Sequence, residues 1–267
     1  AARVSTGGQW PDGTGAAPRG QVILLSAEDD AADTIRPRLE AAGADLSRVK
    51  LLQAVRRADA NGGKLRESGF CFEYDLPILE RVLKSLPDAR LVVIDPVSAY
   101  LGETDSHSNA EVRSLFCPVA ELAARYGVAV VSVTHLNKGQ TEKAIYRAMG
   151  SLAFIAQART AFAVIRDDRD PSRRLFLPVK NNLAPDAGTG LAFCLTPWAD
   201  DPAYCFIQWH PGAVDVSADE ALSPKHDDER TAQSETEAWL RDELRAGPVQ
   251  AGELRKRAGL YGFNWRT

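Results

Sequence analysis

The chain has 267 residues, 45% hydrophobic and 25% charged, which excludes disordered and fibrous proteins and allows one large α/β core with a small appendage. Its 32 Lys and Arg against 36 Asp and Glu give a formal net charge of −4, so a general basic coat for nucleic acid is excluded and any DNA contact must come from local loops. Cys71, Cys117, Cys194 and Cys205 show neither CxxC spacing nor disulfide-scaffold density, and no apolar run reaches the roughly 18 residues of a membrane span, so a cytoplasmic location without membrane contact is expected.

Taken in chain order, Gln21 to Ser26 is a short apolar run and reads as a strand buried on both faces, followed by acidic Glu28-Asp29-Asp30. Thr34 to Ala42 has helical spacing and stops at Gly43, and Val49 to Val55 gives a second apolar run. Asn61-Gly62-Gly63 marks a loop, Leu76 to Leu86 a helix ended near Pro87, and Leu91 to Ile94 another buried strand with Asp95 at its end. Asn109 to Tyr126 is amphipathic and closed by Gly127, and Val128 to Val133 is a fourth buried strand leading into Thr134-His135. After a polar loop and a short helix near 150–157, runs at 161–166, 175–180, 191–195 and 204–209 predict an antiparallel set.

Residues 211–230 are polar and acidic without periodicity and read as a linker between a core at 1–210 and a unit at 231–267. In that last unit Thr231 to Arg245 and Ala251 to Ala258, the latter ended by Gly259, predict a partial helix-turn-helix or winged-helix module. The only methionine is Met149, and Gly262 to Thr267 resembles the start of another helix, so both ends are expected to be cut.

Alternating strands and helices imply a parallel sheet whose ligands bind at the carboxyl ends of its strands, where Glu28, Asp95 and His135 all fall. Asp95 there suits a carboxylate holding hydrated Mg²⁺ beside a nucleotide; it equally suits the start of an Asp-Pro turn. Glu28 suits a general base for the water attacking a γ-phosphate, or a charge favourable to the dipole of the next helix. His135 suits a γ-phosphate sensor or a structural histidine, and Arg147 and Lys180 suit finger residues or solvated cations.

As an ordered set, Leu-Leu-Ser-Ala-Glu-Asp-Asp around Glu28, Leu-Val-Val-Ile-Asp-Pro around Asp95, Thr-His-Leu-Asn-Lys-Gly, Arg-Ala-Met-Gly-Ser and Val-Lys-Asn-Asn resemble the RecA-like P-loop ATPases of the AAA family. The likeness is nearest to the RepA-type hexameric replicative helicase branch and covers roughly residues 1–210. It implies ATP and Mg²⁺ as cofactors, a homo-oligomeric ring, and single-stranded DNA as partner in replication or repair. Under it Glu28 is the catalytic carboxylate, Asp95 the Walker B aspartate, His135 the sensor, Arg147 the arginine finger and Lys180 a trans-acting lysine. Where many of these helicases carry an arginine two residues beyond that lysine, this chain has Asn182.

The resemblance also places DNA-facing loops at Leu101 to Asn109 and Asn137 to Arg147, the second with Lys138 and Lys143, which suit a phosphate funnel or a solvated loop. In the last unit Arg255, Lys256 and Arg257 suit phosphate contact, or a packing role given the neighbouring acids Glu235, Glu237, Asp242, Glu243 and Glu253. GxxxxGK[ST], the loop that cradles phosphates, occurs nowhere in the 267 residues, and truncation upstream is the expected reason. A regulatory DNA-binding protein with an inactive ATPase core is the alternative reading.

Overall fold

The computed structural model describes residues 1–58, 65–106, 108–135, 152–184, 189–222, 236–237, 239–245 and 247–260. Two compact units are present, Ala1–Leu222 and Ser223–Thr267.

The first unit is α/β and RecA-like, with a parallel sheet flanked by helices and an antiparallel set of strands after it. The parallel sheet contains β1 (Gln21–Ser26), β2 (Val49–Leu51), β5 (Ala89–Asp95) and β6 (Ala129–Ser132), in the order β2-β1-β5-β6. Between β2 and β5 the chain forms an antiparallel hairpin of β3 (Val55–Ala58) and β4 (Leu65–Ser68). The apolar run from 49 to 55 is therefore split, because the strand ends at Leu51 and Val55 begins the hairpin.

Alternation in β1 sends its side chains to two cores. Ile23 and Leu25 join Val92, Ile94 and Val128 beneath α3 (Phe72–Ser85) and α4 (Asn109–Tyr126), which contribute Phe72, Leu79, Leu83 and Val119. Val22 joins Leu91, Val4 and Ala17 on the opposite face, against α1 (Ala2–Thr6). The two central strands are thus held from both sides, and their carboxyl ends are rigid platforms.

Helix α4 has the predicted bounds: Ser108 Oγ accepts from the Glu111 backbone N–H at its start, and Gly127 closes it in the left-handed region at φ 62°. Helix α3 begins four residues before the expected Leu76, since Phe72 is fully buried and the Asp75 carboxylate accepts from the Cys71 N–H at 2.8 Å. The expected 34–42 helix is two pieces, a π-helical turn at Ala31–Ile35 and α2 (Arg36–Ala41), with Pro37 in the first turn of α2.

The antiparallel strands are β7 (Thr160–Arg166), β8 (Arg173–Asn181), β9 (Leu191–Pro197) and β10 (Cys205–Trp209), in the order β10-β9-β8-β7. They follow α5 (Leu152–Gln157). One face buries Ala163, Ile165, Leu175, Leu177 and Ala192 against α6 (Ala218–Leu222). That helix lies within the segment read as a linker, and its apolar residues Ala218, Ala221 and Leu222 tie 211–222 to the first unit.

In the second unit residues 236–237 and 239–244 are helical, and α7 (Ala251–Leu260) runs past Gly259, where a stop was expected. Leu254 and Ala258, four apart, are buried.

Candidate functional site

Three strand ends converge. Ser26 of β1 and Asp95 of β5 are register partners, and the Ala27 N–H donates to the Asp95 carbonyl at 3.1 Å, carrying the ladder one step beyond β1. On the other side of β5 the Val133 N–H donates to Ile94 at 2.8 Å and the Val97 N–H to Val133 at 2.9 Å. Asp95 therefore sits on the middle strand, with Glu28 two residues past the end of β1 and His135 three residues past β6.

The flanking side chains meet: His135 Nε2 lies 3.4 Å from Glu28 Oε2, and both groups are largely exposed. Burial, then the charges of Glu28 and Asp29, push the Asp95 carboxyl above the ordinary aspartate range, partly offset by His135 and Arg38. A carboxylate raised by neighbouring carboxylates marks a locally negative potential that a cation would relieve.

The residues after Glu28 fix the loop. Asp30 accepts from the Ala32 and Asp33 N–H groups at 2.7 and 3.1 Å, capping the π-helical turn, and these bonds hold its carboxyl below the usual range. Asp29 pairs with Arg38 of α2 at 2.9 Å. Beside this loop opens a cleft of about 450 Å³ lined by Glu28, Asp29, Asp30, Gln53, Phe70 and Tyr100, among others.

The other expected site residues are placed as follows. Lys180 lies on β8, and its ammonium donates to the Ile155 and Ala156 carbonyls at 2.9 and 3.0 Å, holding the last turn of α5. Arg255 and Lys256 are exposed on α7, whereas Arg257 pairs with Glu243 at 2.8 Å and with Glu253 at 3.3 Å. Lys138, Lys143 and Arg147 lie outside the described residues. Among the described residues, no group of three or more His, Cys, Asp or Glu could hold a metal ion, and no helix is long and apolar enough to cross a membrane.

Sequence reasoning missed Tyr100, Phe70 and Gln53 as neighbours of Glu28. Phe70 and Tyr100 are ordinary core aromatics by pattern, and their packing on each other and on Phe72 is not visible in the sequence.

Glu28, Asp95 and His135 thus lie together at the carboxyl ends of three neighbouring strands of a RecA-like sheet. A family model described as an AAA domain matches residues 1–141, from α1 through β6 and His135, so the chain belongs to the AAA-domain family. That family is of the P-loop ATPase type, and nucleotide binding and ATP hydrolysis are the activities it assigns. The curated proteins give no match.

Proposed function

We propose that this chain is the core of an ATP-hydrolysing motor or remodelling ATPase of the RepA-type helicase branch, acting as a homo-oligomeric ring on single-stranded DNA in replication or repair. The observation that carries this reading is the convergence of Glu28, Asp95 and His135 on adjacent parallel strand ends within the segment matched by the AAA-domain model.

Asp95 would hold Mg²⁺ through water; one carboxylate suffices because this ion keeps several waters and takes phosphate oxygens as further ligands. When bound, the ion neutralises phosphate charge. Glu28, on an exposed loop beside Asp95, takes the proton of a water whose oxygen attacks the γ-phosphorus. The bond to the ADP oxygen breaks, releasing ADP and phosphate. His135, in contact with Glu28, links γ-phosphate occupancy to the position of that base. Arg147 acts on a neighbour's nucleotide, and Lys138, Lys143, Arg255 and Lys256 contact DNA phosphates; Lys180 would join the first group only by releasing the Ile155 and Ala156 carbonyls, and Arg257 the second only by exchanging its Glu243 and Glu253 pairs.

Hydrolysis needs a phosphate cradle, and these 267 residues contain no GxxxxGK[ST]. The test is therefore ATP turnover, with and without single-stranded DNA, on a chain extended upstream of Ala1 to include such a loop. Stimulation by DNA is the expected result. A folded protein that binds ATP and does not hydrolyse it overturns the motor reading in favour of a regulatory DNA-binding role.

A further inference from the structure

The turn that follows Glu28 stands between two helical registers. The Asp30 carbonyl accepts from the Ile35 N–H at 2.9 Å, five residues on, and from the Thr34 N–H at 3.3 Å, four residues on, so a π-helical and an α-helical bond share one acceptor. Pro37 decides between them. It has no N–H to give the Asp33 carbonyl four residues back, and in an α-helix its ring would crowd that carbonyl. The wider turn relieves the crowding and leaves the Asp33 carbonyl without the donor an α-helix gives it. The Tyr204 hydroxyl donates there instead, at 2.7 Å.

Tyr204 reaches the turn from a fixed base. Its own N–H donates to the Asp201 carbonyl at 3.0 Å and its carbonyl accepts from the Trp198 N–H at 2.8 Å, which closes the connection between β9 and β10. The position of the hydroxyl is therefore set by the antiparallel strands. At its other end the turn is bound to the neighbours of Glu28. The Asp30 carboxylate accepts from the Ala32 and Asp33 N–H groups, and Arg38, the residue after Pro37, donates to Asp29 at 2.9 Å. Loss of the π register moves Arg38 relative to Asp29, and with Asp29 moves the adjoining Glu28.

We propose that Tyr204 is a positioning residue for Glu28: by supplying the donor that Pro37 lacks, its hydroxyl holds the turn in the π register and keeps the Glu28 carboxylate beside His135 at the end of β5. The antiparallel strands thereby set where the base stands. The effect on turnover rests on the reading of Glu28 as the base; the effect on the turn does not.

Two substitutions test this. Tyr204→Phe keeps the ring and removes the donor, and Pro37→Ala returns a backbone N–H to the Asp33 carbonyl. In ATP turnover by the chain extended upstream, Tyr204→Phe should lower kcat about threefold, the size of one net hydrogen bond, with KM for ATP within about 1.5-fold. On the Pro37→Ala background the same substitution should change kcat by less than about 1.5-fold, because the carbonyl then has a backbone donor. A Tyr204 that merely stabilises the fold lowers kcat by the same ratio on both backgrounds, and that result overturns the proposal.

Backbone ¹⁵N relaxation of the 267-residue chain, without nucleotide, reads the turn independently of activity. Order at residues 28–30 should fall in Tyr204→Phe and should not fall further when the substitution is added to Pro37→Ala. Unchanged order at 28–30 in Tyr204→Phe overturns the proposal and leaves the motor reading standing. An extended chain that hydrolyses no ATP, while Tyr204→Phe still loosens 28–30, removes the motor reading and keeps Tyr204 as the anchor of this loop.

Discussion

Glu28 and His135, 107 residues apart in sequence, bring Oε2 and Nε2 to 3.4 Å above the middle strand that ends in Asp95. The contact follows from the strand order β1-β5-β6, since the chain after each flanking strand carries an exposed polar side chain, Glu28 or His135, to the end of the strand between them. With Glu28 as base, Glu28→Gln keeps the shape and the hydrogen-bonding capacity but accepts no proton. Turnover in the extended chain should fall about 100-fold or more while nucleotide affinity stays within about twofold. Turnover near the unsubstituted level, measured beside equilibrium nucleotide binding, would remove Glu28 from that role.

Asp95→Asn should be stabilising at neutral pH. The carboxyl is raised in the folded chain, so the native state binds its proton more tightly than the unfolded state, and ionised Asp95 costs stability above that raised value. The cost disappears as pH falls through the raised value and below the ordinary 3.8, where both states are neutral. Thermal melts should show Tm higher by about 1–3 °C at pH 7 in the variant, and equal below about pH 4. A lower Tm at pH 7 would mean that Asp95 is held by contacts stronger than the repulsion from Glu28 and Asp29.

The central parallel strands were legible because Val-Ile-Leu-Leu and Leu-Val-Val-Ile are buried on both faces, and α4 because its cap, its apolar spacing and Gly127 all agree, whereas β6, expected to be buried, is an edge strand of the described sheet with Val131 exposed. The carboxyl ends followed from topology, so Glu28, Asp95 and His135 could be grouped before any geometry. The hairpin β3–β4 was not legible: Arg56, Arg57, Arg66 and Glu67 hide the alternation that marks a strand. Lys180 was read by its place in a motif, and nothing local indicates that its ammonium closes the end of α5. Helix α6 was lost in an acidic stretch because Ala218, Ala221 and Leu222 are too few to show a period.

Gly20→Ala should destabilise the entry to β1. A Cβ at this position would meet the Asp88 carbonyl oxygen and the Arg90 Cγ at distances that side chains do not adopt. The arginine can move, but Asp88 cannot, since its carbonyl accepts from the Gln21 N–H at 3.0 Å where β1 and β5 begin pairing. A loss of about 2 kcal/mol is expected, seen as a Tm lower by about 4–8 °C. An unchanged Tm would show that the two strands can separate at this end without cost.

Tyr204, in the turn between β9 and β10, donates its hydroxyl to the Asp33 carbonyl at 2.7 Å, and so ties the antiparallel strands to the π-helical turn that follows Glu28. The bond is solvent-exposed, so its net contribution is small, about 0.5 kcal/mol, and Tyr204→Phe should leave the global Tm within about 2 °C. The local effect should be larger than the global one. The five residues of the turn depend for their entry on one side-chain cap, Asp30, and on this bond at their centre. Amide hydrogen exchange at 31–35 should therefore speed up severalfold in Tyr204→Phe, with exchange in β1 and β5 unchanged. Uniform acceleration across the unit would instead make Tyr204 a global stabiliser, and no acceleration at 31–35 would mean that Asp30 holds the turn alone.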